Sequence, residues 1–324
     1  MQLPARMKMH IRLSTAFQCW VLACLASAAQ AQTAAEASTP PIRQSTDDAW
    51  WTGPMLANSA ATLPRGHFLV EPYLYDVTSS HSDGYGSLTY MLYGVSDRFT
   101  AGLVPVFGYN RVSGASDSSD VGAGDIGVLM QYRLTQFPVE SSLPTISLQL
   151  QETLPTGEYD RLGDRPADGQ GGGAYVTALS LNTQTWFWLP NGRILRMRFN
   201  VSQSFAKTTS VEGVSVYDTG EDFRGYARPG NALFADAAWE YSLTRNWVLA
   251  LDLTWRHARG TRVHGYDSSG PVYMDSGPST QFGFAPAIEC NFSPRIGLLF
   301  GVRVITGHGT QRSVTPALAL NFVH

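Results

Sequence analysis

The sequence predicts an all-β chain closed into a transmembrane antiparallel up-and-down β-barrel of about 12 strands. Three observations carry that expectation. Apolar and polar residues alternate with a period of two through most of the chain. Beyond the N-terminal segment there is no run of about 18 apolar residues that would make a membrane helix. Short turns alternate with long polar loops between the periodic stretches.

In chain order, residues 1–31 read as a cleaved signal peptide. Arg6, Lys8 and Arg12 give a positive start, "LSTAFQCWVLACLASAA" supplies a short apolar region, and Ala29-Gln30-Ala31 fits the small-residue cleavage pattern. Ser14, Thr15 and Gln18 interrupt the apolar run, which argues against a retained anchor. A lipid anchor at Cys24 would have Leu22 where a smaller residue is usual. Removal of this segment leaves 20 basic against 26 acidic residues, with Lys207 the single lysine, so nothing resembles a nucleic-acid footprint. Cys290 is then the one cysteine, which excludes an intramolecular disulfide framework and a multi-cysteine metal site. No cofactor is expected.

Residues 32–65 form a segment ahead of the first strand. Its Ala-, Ser-, Thr- and Pro-rich start, to about residue 46, suggests disorder. "DDAWWTGPM" is different: Trp50 and Trp51 either rest at the periplasmic membrane interface or fold back into the lumen as a plug. Twelve strands leave room for a plug, because a barrel of about eight is already filled by its own side chains.

Residues 66–324 are the barrel. In "NWVLALDLTWR", Trp247, Leu249, Leu251, Leu253 and Trp255 share one face, with Val248, Ala250, Asp252, Thr254 and Arg256 on the other. The two tryptophans are about 26 Å apart along an extended strand. Tilted as barrel strands are, they span roughly 20 Å, close to the spacing of two aromatic girdles. The same alternation gives strands at 66–78, 87–95, 97–110, 123–135, 143–155, 174–187, 193–206, 231–243, 246–257, 280–292, 295–305 and 312–324. Pro286 lacks a backbone donor, so its strand needs a bulge or a local break in the ladder.

Five connections centre on short turns, "VSD", "FPVESS", "LPNG", "TRN" and "SPR". Those between them are mostly long, such as "GEYDRLGDRPADGQGGG" and "HARGTRVHGYDSSGPVYMDSGP". A barrel with short periplasmic turns and long external loops has this rhythm. The acidic loop residues Asp160, Asp164, Asp168, Asp218, Glu221 and Asp222 lack a calcium-loop pattern and read as a solvated rim. Tyr217 and Tyr273 read as strand extensions above the membrane.

"VGAGDIGVLMQYRL" carries G-x-G-x-x-G at Gly122, Gly124 and Gly127, but a strand-period segment follows it where a nucleotide fold needs a helix. With "YGVSDRFTAGL" before it and "LPTGEYD" after it, this stretch resembles the recurrent elements of the outer-membrane family named "putative meta-pathway of phenol degradation". The resemblance covers about residues 66–324. It implies a barrel transporter or channel associated with hydrophobic aromatic compounds, and it brings no catalytic residues. Gly122, Gly124 and Asp125 then mark the descent from an external loop, with Gly127 on the lumen face.

Arg196, Arg198, Asp236, Glu240, Asp252, Arg256, Glu289 and Arg303 fall opposite the apolar stripes and are the expected lumen-lining set. Trp239, Tyr241, Trp247 and Trp255 are the expected aromatic girdle. The function expected is passive uptake of small, hydrophobic or aromatic molecules across a bacterial outer membrane. The expected partners are outer-membrane lipid, a small-molecule solute and, during biogenesis, the barrel-assembly machinery. One alternative is a binding or adhesion barrel with a closed lumen and active loops. The other is a membrane-embedded hydrolase, for which no serine–histidine spacing stands out around His67, His81, His257, His264 or His308.

Overall fold

The computed structural model describes residues 41–324, apart from His81, Ala115, Val139 and Glu140. The signal peptide, the start of the 32–65 segment and His81 therefore lie outside the described residues. Arg43 to His324 form one unit, described below.

Strands β1 (Phe68–Ser79), β2 (Ser82–Ser96) and β3 (Phe99–Val104) open the meander, and β4 (Val106–Val112) continues β3 beyond Pro105. A second interrupted strand consists of β5 (Gly122–Ala123) and β6 (Ile126–Thr135). There follow β7 (Thr145–Leu154), β8 (Val176–Trp188) and β9 (Ile194–Ala206). After β10 (Thr209–Glu212) and β11 (Arg224–Arg228) come β12 (Ala232–Ser242) and β13 (Trp247–Ala258). Then β14 (Arg262–Asp267) and β15 (Gly270–Asp275) precede β16 (Ser279–Ser293), β17 (Ile296–His308) and β18 (Ser313–Val323).

The main sheet runs β1-β2-β3-β6-β7-β8-β9-β12-β13-β16-β17-β18, every pair antiparallel, and β18 returns to β1. Twelve strands thus close into a barrel, which leaves no open sheet edge to be satisfied in lipid. The sequence-predicted strands coincide with these twelve, with boundaries shifted by a few residues. The ladder from β16 to β13 runs unbroken through Pro286, opposite Leu251. On the other side, the pairing with β17 passes from Phe284↔Val304 directly to Ala287↔Gly301. The ladder therefore breaks at Pro286, on the side where its missing donor is needed.

Burial is inverted relative to a water-soluble protein. Leu74, Phe199, Phe282, Phe292 and Phe300 are each more than half exposed, whereas Asp236, Glu240, Asp252 and Glu289 are at most 1 % exposed. In water each such exposed leucine or phenylalanine would forgo about 1.5–3 kcal/mol of burial. In a bilayer the outward band is already in its favoured solvent. The band is continuous across strands, as where Phe300 lies between Ile288 and Leu318. At the last strand Phe68 packs on Phe322 at 5.9 Å and stacks on His324 at 5.1 Å.

One expectation needs correction. Two connections expected as long polar loops, with strand extensions at Tyr217 and Tyr273, contain β10, β11, β14 and β15, which form a separate four-stranded antiparallel sheet. Val211, Phe223, Ala227 and Val263 are its buried core. These strands have four to six residues each, too short for the period to stand out within a single loop. Tyr273 belongs to β15, but Tyr217 is not a strand extension: it sits in a turn and its hydroxyl donates to the Gly172 carbonyl.

Candidate functional site: the barrel interior and its strap

Small residues on the inner face make room for charged ones. Asp252 lies between Ala238 and Ala285 in register, and Glu240 lies between Arg196 and Ala250. Arg196 reaches across to Glu240, its Nε donating to Oε2 at 2.6 Å while its Nη2 binds Oε1. Arg198 Nε is 3.2 Å from the same Oε2. The Arg196 guanidinium sits between two tryptophan rings, 4.6 Å from Trp51 and 5.2 Å from Trp186. All three charged residues are buried, so one carboxylate shared by two guanidiniums satisfies what would otherwise be costly isolated charges.

The segment before β1 runs through this interior as a strap. Gln44 N donates to Gly192 O in the β8–β9 turn, and Trp50 N donates to Arg245 O in the β12–β13 turn. The expectation of disorder to residue 46 is thus corrected from Gln44 onward, because backbone bonds to turns fix the chain there. Trp51, read as an interface residue or part of a plug, has its ring on Arg196 and edge-on to Trp186 at 5.3 Å. Thr52 N donates to Glu289 Oε2 at 2.6 Å, and the amides of Met55, Leu56 and Ala57 donate to the Asp252 carboxylate at 3.0–3.3 Å. Arg198 Nη1 donates to Ala57 O and Asn200 Nδ2 to Asn58 O. Gln131 Nε2 then donates to Ser59 O, and Leu63 N donates to Thr100 Oγ1 near the β2–β3 turn.

An irregular chain inside a barrel has no sheet ladder, so its backbone groups need side-chain partners. Asp252 and Glu289 supply acceptors, while Arg198, Asn200 and Gln131 supply donors. Gly53 adopts φ of +129°, a region that excludes most side chains, and the Arg198 guanidinium lies 3.4 Å from where its Cβ would be. A cavity of about 260 Å³ remains between the strap and the wall, lined in part by Glu71, Tyr73, Tyr90 and Leu129.

The other charged residues singled out in the sequence sit nearer the long-loop end. Asp236 is buried between Asn200 and Thr254, with no hydrogen bond to either carboxylate oxygen among the described residues. Arg256 and Arg303 are partly accessible, and the Arg303 Nε is likewise without a hydrogen bond. Trp239 and Tyr241 lie outward on β12 opposite Leu251 and Leu249, and Tyr241 Oη accepts from Asn191 Nδ2 in a short turn. Trp247 opens β13, and Trp255 lies eight residues on, with its ring 6.2 Å from that of His257. Residues not singled out in the sequence include Glu71, Tyr73, Gln131, Trp186 and Asn200. The period-two rule applied to "FLVEPYLYDVTS" would have found the first two, since Glu71 and Tyr73 share the face opposite Leu74.

At the opposite end the motifs around Gly124 and Gly157 meet. The Asp125 carboxylate accepts from Gly157 N at 3.0 Å and Gly172 N at 2.7 Å. Thr156 Oγ1 donates to Gly124 O, and Ile126 N donates to Thr156 Oγ1. Asp125 thereby anchors the 155–175 loop, which a 3₁₀ turn (Pro166–Asp168) ties to Asn110 and Ser118 through Ala167 O.

Among solved structures, the chain is similar to the COG4313 outer membrane channel from Pseudomonas putida F1. The TM-score is 0.61 at 15% identity, covering 83% of this chain and 100% of that one. It also matches the β domain of the Bordetella autotransporter BrkA, with a TM-score of 0.46 at 11% identity over 80% and 99% of the two chains. The TodX monoaromatic hydrocarbon channel matches with a TM-score of 0.39 at 12% identity over 86% and 95%. At these identities the first shares the fold, and the other two, below 0.5, add nothing to it. Comparison with curated proteins finds no match. A closed barrel with an apolar outer band and this fold belongs in the bacterial outer membrane. The family model described as "Putative MetA-pathway of phenol degradation" matches residues 53–322, from the strap to the last strand, and the chain belongs to that family.

Proposed function

We propose that the protein is a channel for passive passage of small molecules, including hydrophobic or aromatic ones, and that residues 49–63 act as a plug that narrows the lumen. The observation that carries this reading is the mode of attachment. The strap is held by hydrogen bonds from wall side chains to its backbone and leaves an internal cavity of about 260 Å³ with both apolar and polar walls. A purely structural filling would be expected to pack the lumen shut at the density of protein interiors. The printed description of the Pseudomonas structure as an outer membrane channel supports the same reading. In this role Arg196, Arg198, Glu240, Asp252 and Glu289 secure the plug, and Asp236, Arg256 and Arg303 line the wider part of the lumen. Tyr241 and Trp247 rest in the interface at the short-turn end and Trp255 in the one at the long-loop end, while Trp239, in register with Leu251 midway between Trp247 and Trp255, belongs to the lipid-facing band. This reading assigns no catalytic role to the histidines: His257 Nδ1 faces Thr280 Oγ1 at 3.0 Å and the His264 ring lies against Tyr226.

Single-channel recording of the purified protein in planar bilayers tests it. The wild type should give small, steady steps, and Asp252→Ala should enlarge them severalfold. Equal conductance in the two would remove the plug from the pathway. An inserted barrel silent in both forms would favour the second reading, a loop-borne binding barrel. That reading is supported by the separately packed outer sheet with Tyr226, Tyr266 and Tyr273 more than half exposed.

A further inference from the structure

The strap is tethered by carboxylates on one side of the barrel and crosses to the other, where Gln131 on β6 donates to Ser59 O and Thr100 Oγ1 on β3 accepts from Leu63 N. Its carboxylate tethers are Asp252 on β13 and Glu289 on β16. In the closed order of twelve strands, β13 is diametrically opposite β3 and β16 opposite β6. The cavity follows this asymmetry: strap residues 51–63 line one side and residues of β18, β1, β2, β3, β6, β7 and β9 the other, with none from β12, β13, β16 or β17.

We propose that this eccentric cavity is a solute-binding site, and that Glu71 determines its specificity for small uncharged molecules combining a one-ring apolar body with a hydrogen-bond donor. The physiological meaning of the site rests on the channel reading, but its chemistry rests on the wall. Three strands place Asn321, Glu71 and Tyr90 in one row: Glu71 is in register with Tyr90, and Asn321 Nδ2 donates to Glu71 Oε1 at 3.1 Å. Toward the short turns the next row is apolar, with Leu69 between Val323 and Leu92. On the other side is Tyr73, whose ring is edge-on to Tyr90 at 6.2 Å. Gly102, opposite Leu92 and Leu129, adds no side chain to the wall.

Three charged groups line the space, and two of them are committed. Arg196 is engaged by Glu240 and two tryptophans, and Arg198 by Glu240 and the Ala57 carbonyl. Among the described residues Glu71 has the single hydrogen-bonding partner Asn321, while a carboxyl group can accept about four hydrogen bonds. It is therefore the group with capacity to accept from a solute. A negative solute would meet Glu71, and a positive one would meet the two arginines, so neutral donors fit best. Size agrees, since a cavity of about 150 Å³ already holds benzene. A site that offers a half-buried acceptor with spare capacity also disfavours the analogue lacking the donor, because the acceptor's free lone pairs then stay unmatched.

The test is fluorine NMR on the purified protein in micelles, with 4-fluorophenol and fluorobenzene as probes and empty micelles as background. The wild type should bind 4-fluorophenol saturably. Glu71→Leu should weaken that binding at least tenfold and change fluorobenzene binding by less than twofold. Leu92→Trp, which fills the cavity and keeps Glu71, should weaken both. The proposal is overturned by an absence of saturable 4-fluorophenol binding, by equal loss of both probes in Glu71→Leu, or by full binding in Leu92→Trp. Should Glu71→Leu fail to fold, Leu92→Trp still decides whether the cavity is the site. Because binding is read without flux, silence in planar bilayers would sink the channel reading and leave this result standing.

Discussion

The strap inside the barrel and the loop cap outside it solve the same problem with the same chemistry. Each is a stretch of irregular backbone whose amides have no sheet partner, and each is held by an aspartate from the barrel wall. Asp252 takes the amides of Met55, Leu56 and Ala57; Asp125 takes those of Gly157 and Gly172. The difference lies in the surroundings. Asp252 is 0 % exposed and shares its neighbourhood with Glu240, Arg198 and Arg196, whereas Asp125 is partly accessible at the outer mouth. A hydrogen bond to a charged group is worth more where water cannot replace it. The strap should therefore be the stronger attachment, and substitutions around it should cost more.

The largest effect is expected at Glu240, which holds the strap's platform together. Glu240→Ala leaves Arg196 and Arg198 buried without their shared carboxylate, a loss of about 3–5 kcal/mol. Thermal unfolding of the purified barrel measures it. A loss below about 1 kcal/mol would mean that Trp51, Trp186 and the Ala57 carbonyl suffice for the two guanidiniums, and the electrostatic account of the platform would be wrong.

Asp252→Ala is next. It removes the acceptor for three strap amides and should weaken the strap's attachment, rather than the barrel, by at least the roughly 1.5–3 kcal/mol of one bond to a charged group. The strand β13 itself should survive, because its backbone pairs with β12 and β16 over its full length. The expected signature is local: Trp50 and Trp51 become accessible to iodide quenching while the barrel's unfolding temperature falls little. Unchanged quenching would place the strap's main hold at Glu289 and Arg198.

The difference between these two attachments also marks what could be read in the sequence. The barrel was legible because a lipid-facing stripe must be apolar at every second residue, so Leu249, Leu251 and Leu253 declare their face. The same rule in reverse puts Arg196, Arg198, Glu240, Asp252 and Glu289 on the faces opposite such stripes. The strap's path was not, because nothing in "TGPMLANSAATL" is periodic: its position depends on carboxylates nearly 200 and more residues away, at Asp252 and Glu289. Glu71 was missed for a narrower reason. The two charges of its strand, Glu71 and Asp76, fall on opposite faces, so neither face stands out as polar. The outer sheet was hidden because its strands come from two loops and complete one another only in space. Asp125 lay inside a recognised motif, yet its two amide partners come from a loop whose conformation no local pattern sets.

Asp125→Ala should cost less than Asp252→Ala, about 1–2 kcal/mol, because water competes for the released amides. The cost should appear in the cap alone. Trypsin should cleave faster after Arg161, in the loop that Asp125 anchors, whereas Arg165 precedes Pro166 and resists it; iodide access to Trp50 and Trp51 should be unchanged. Slow cleavage in the variant would show that the Ala167 contacts to Asn110 and Ser118 hold the loop without Asp125.

The smallest effect is expected at Tyr217, which fastens the outer sheet's loop to the same anchor by donating to Gly172 O. Burial, then the nearby Asp125 and Tyr159, push its hydroxyl from the usual value near 10 up to about 12. In the folded cap the neutral phenol is favoured, so this contribution is fully present below pH 10, where the unfolded chain also keeps its proton. It is lost as pH rises from 10 to 12, because the unfolded chain ionises first. Tyr217→Phe removes the hydrogen bond, at about 1 kcal/mol near neutral pH, and removes the titration with it. The unfolding temperatures of wild type and variant should therefore differ at pH 8 and converge between pH 10 and 12. A gap that stays constant across that range would mean that the hydroxyl contributes without a shifted titration; no gap at any pH would mean that the tyrosine contributes packing alone, and that the cap, unlike the strap, owes little to its polar contacts.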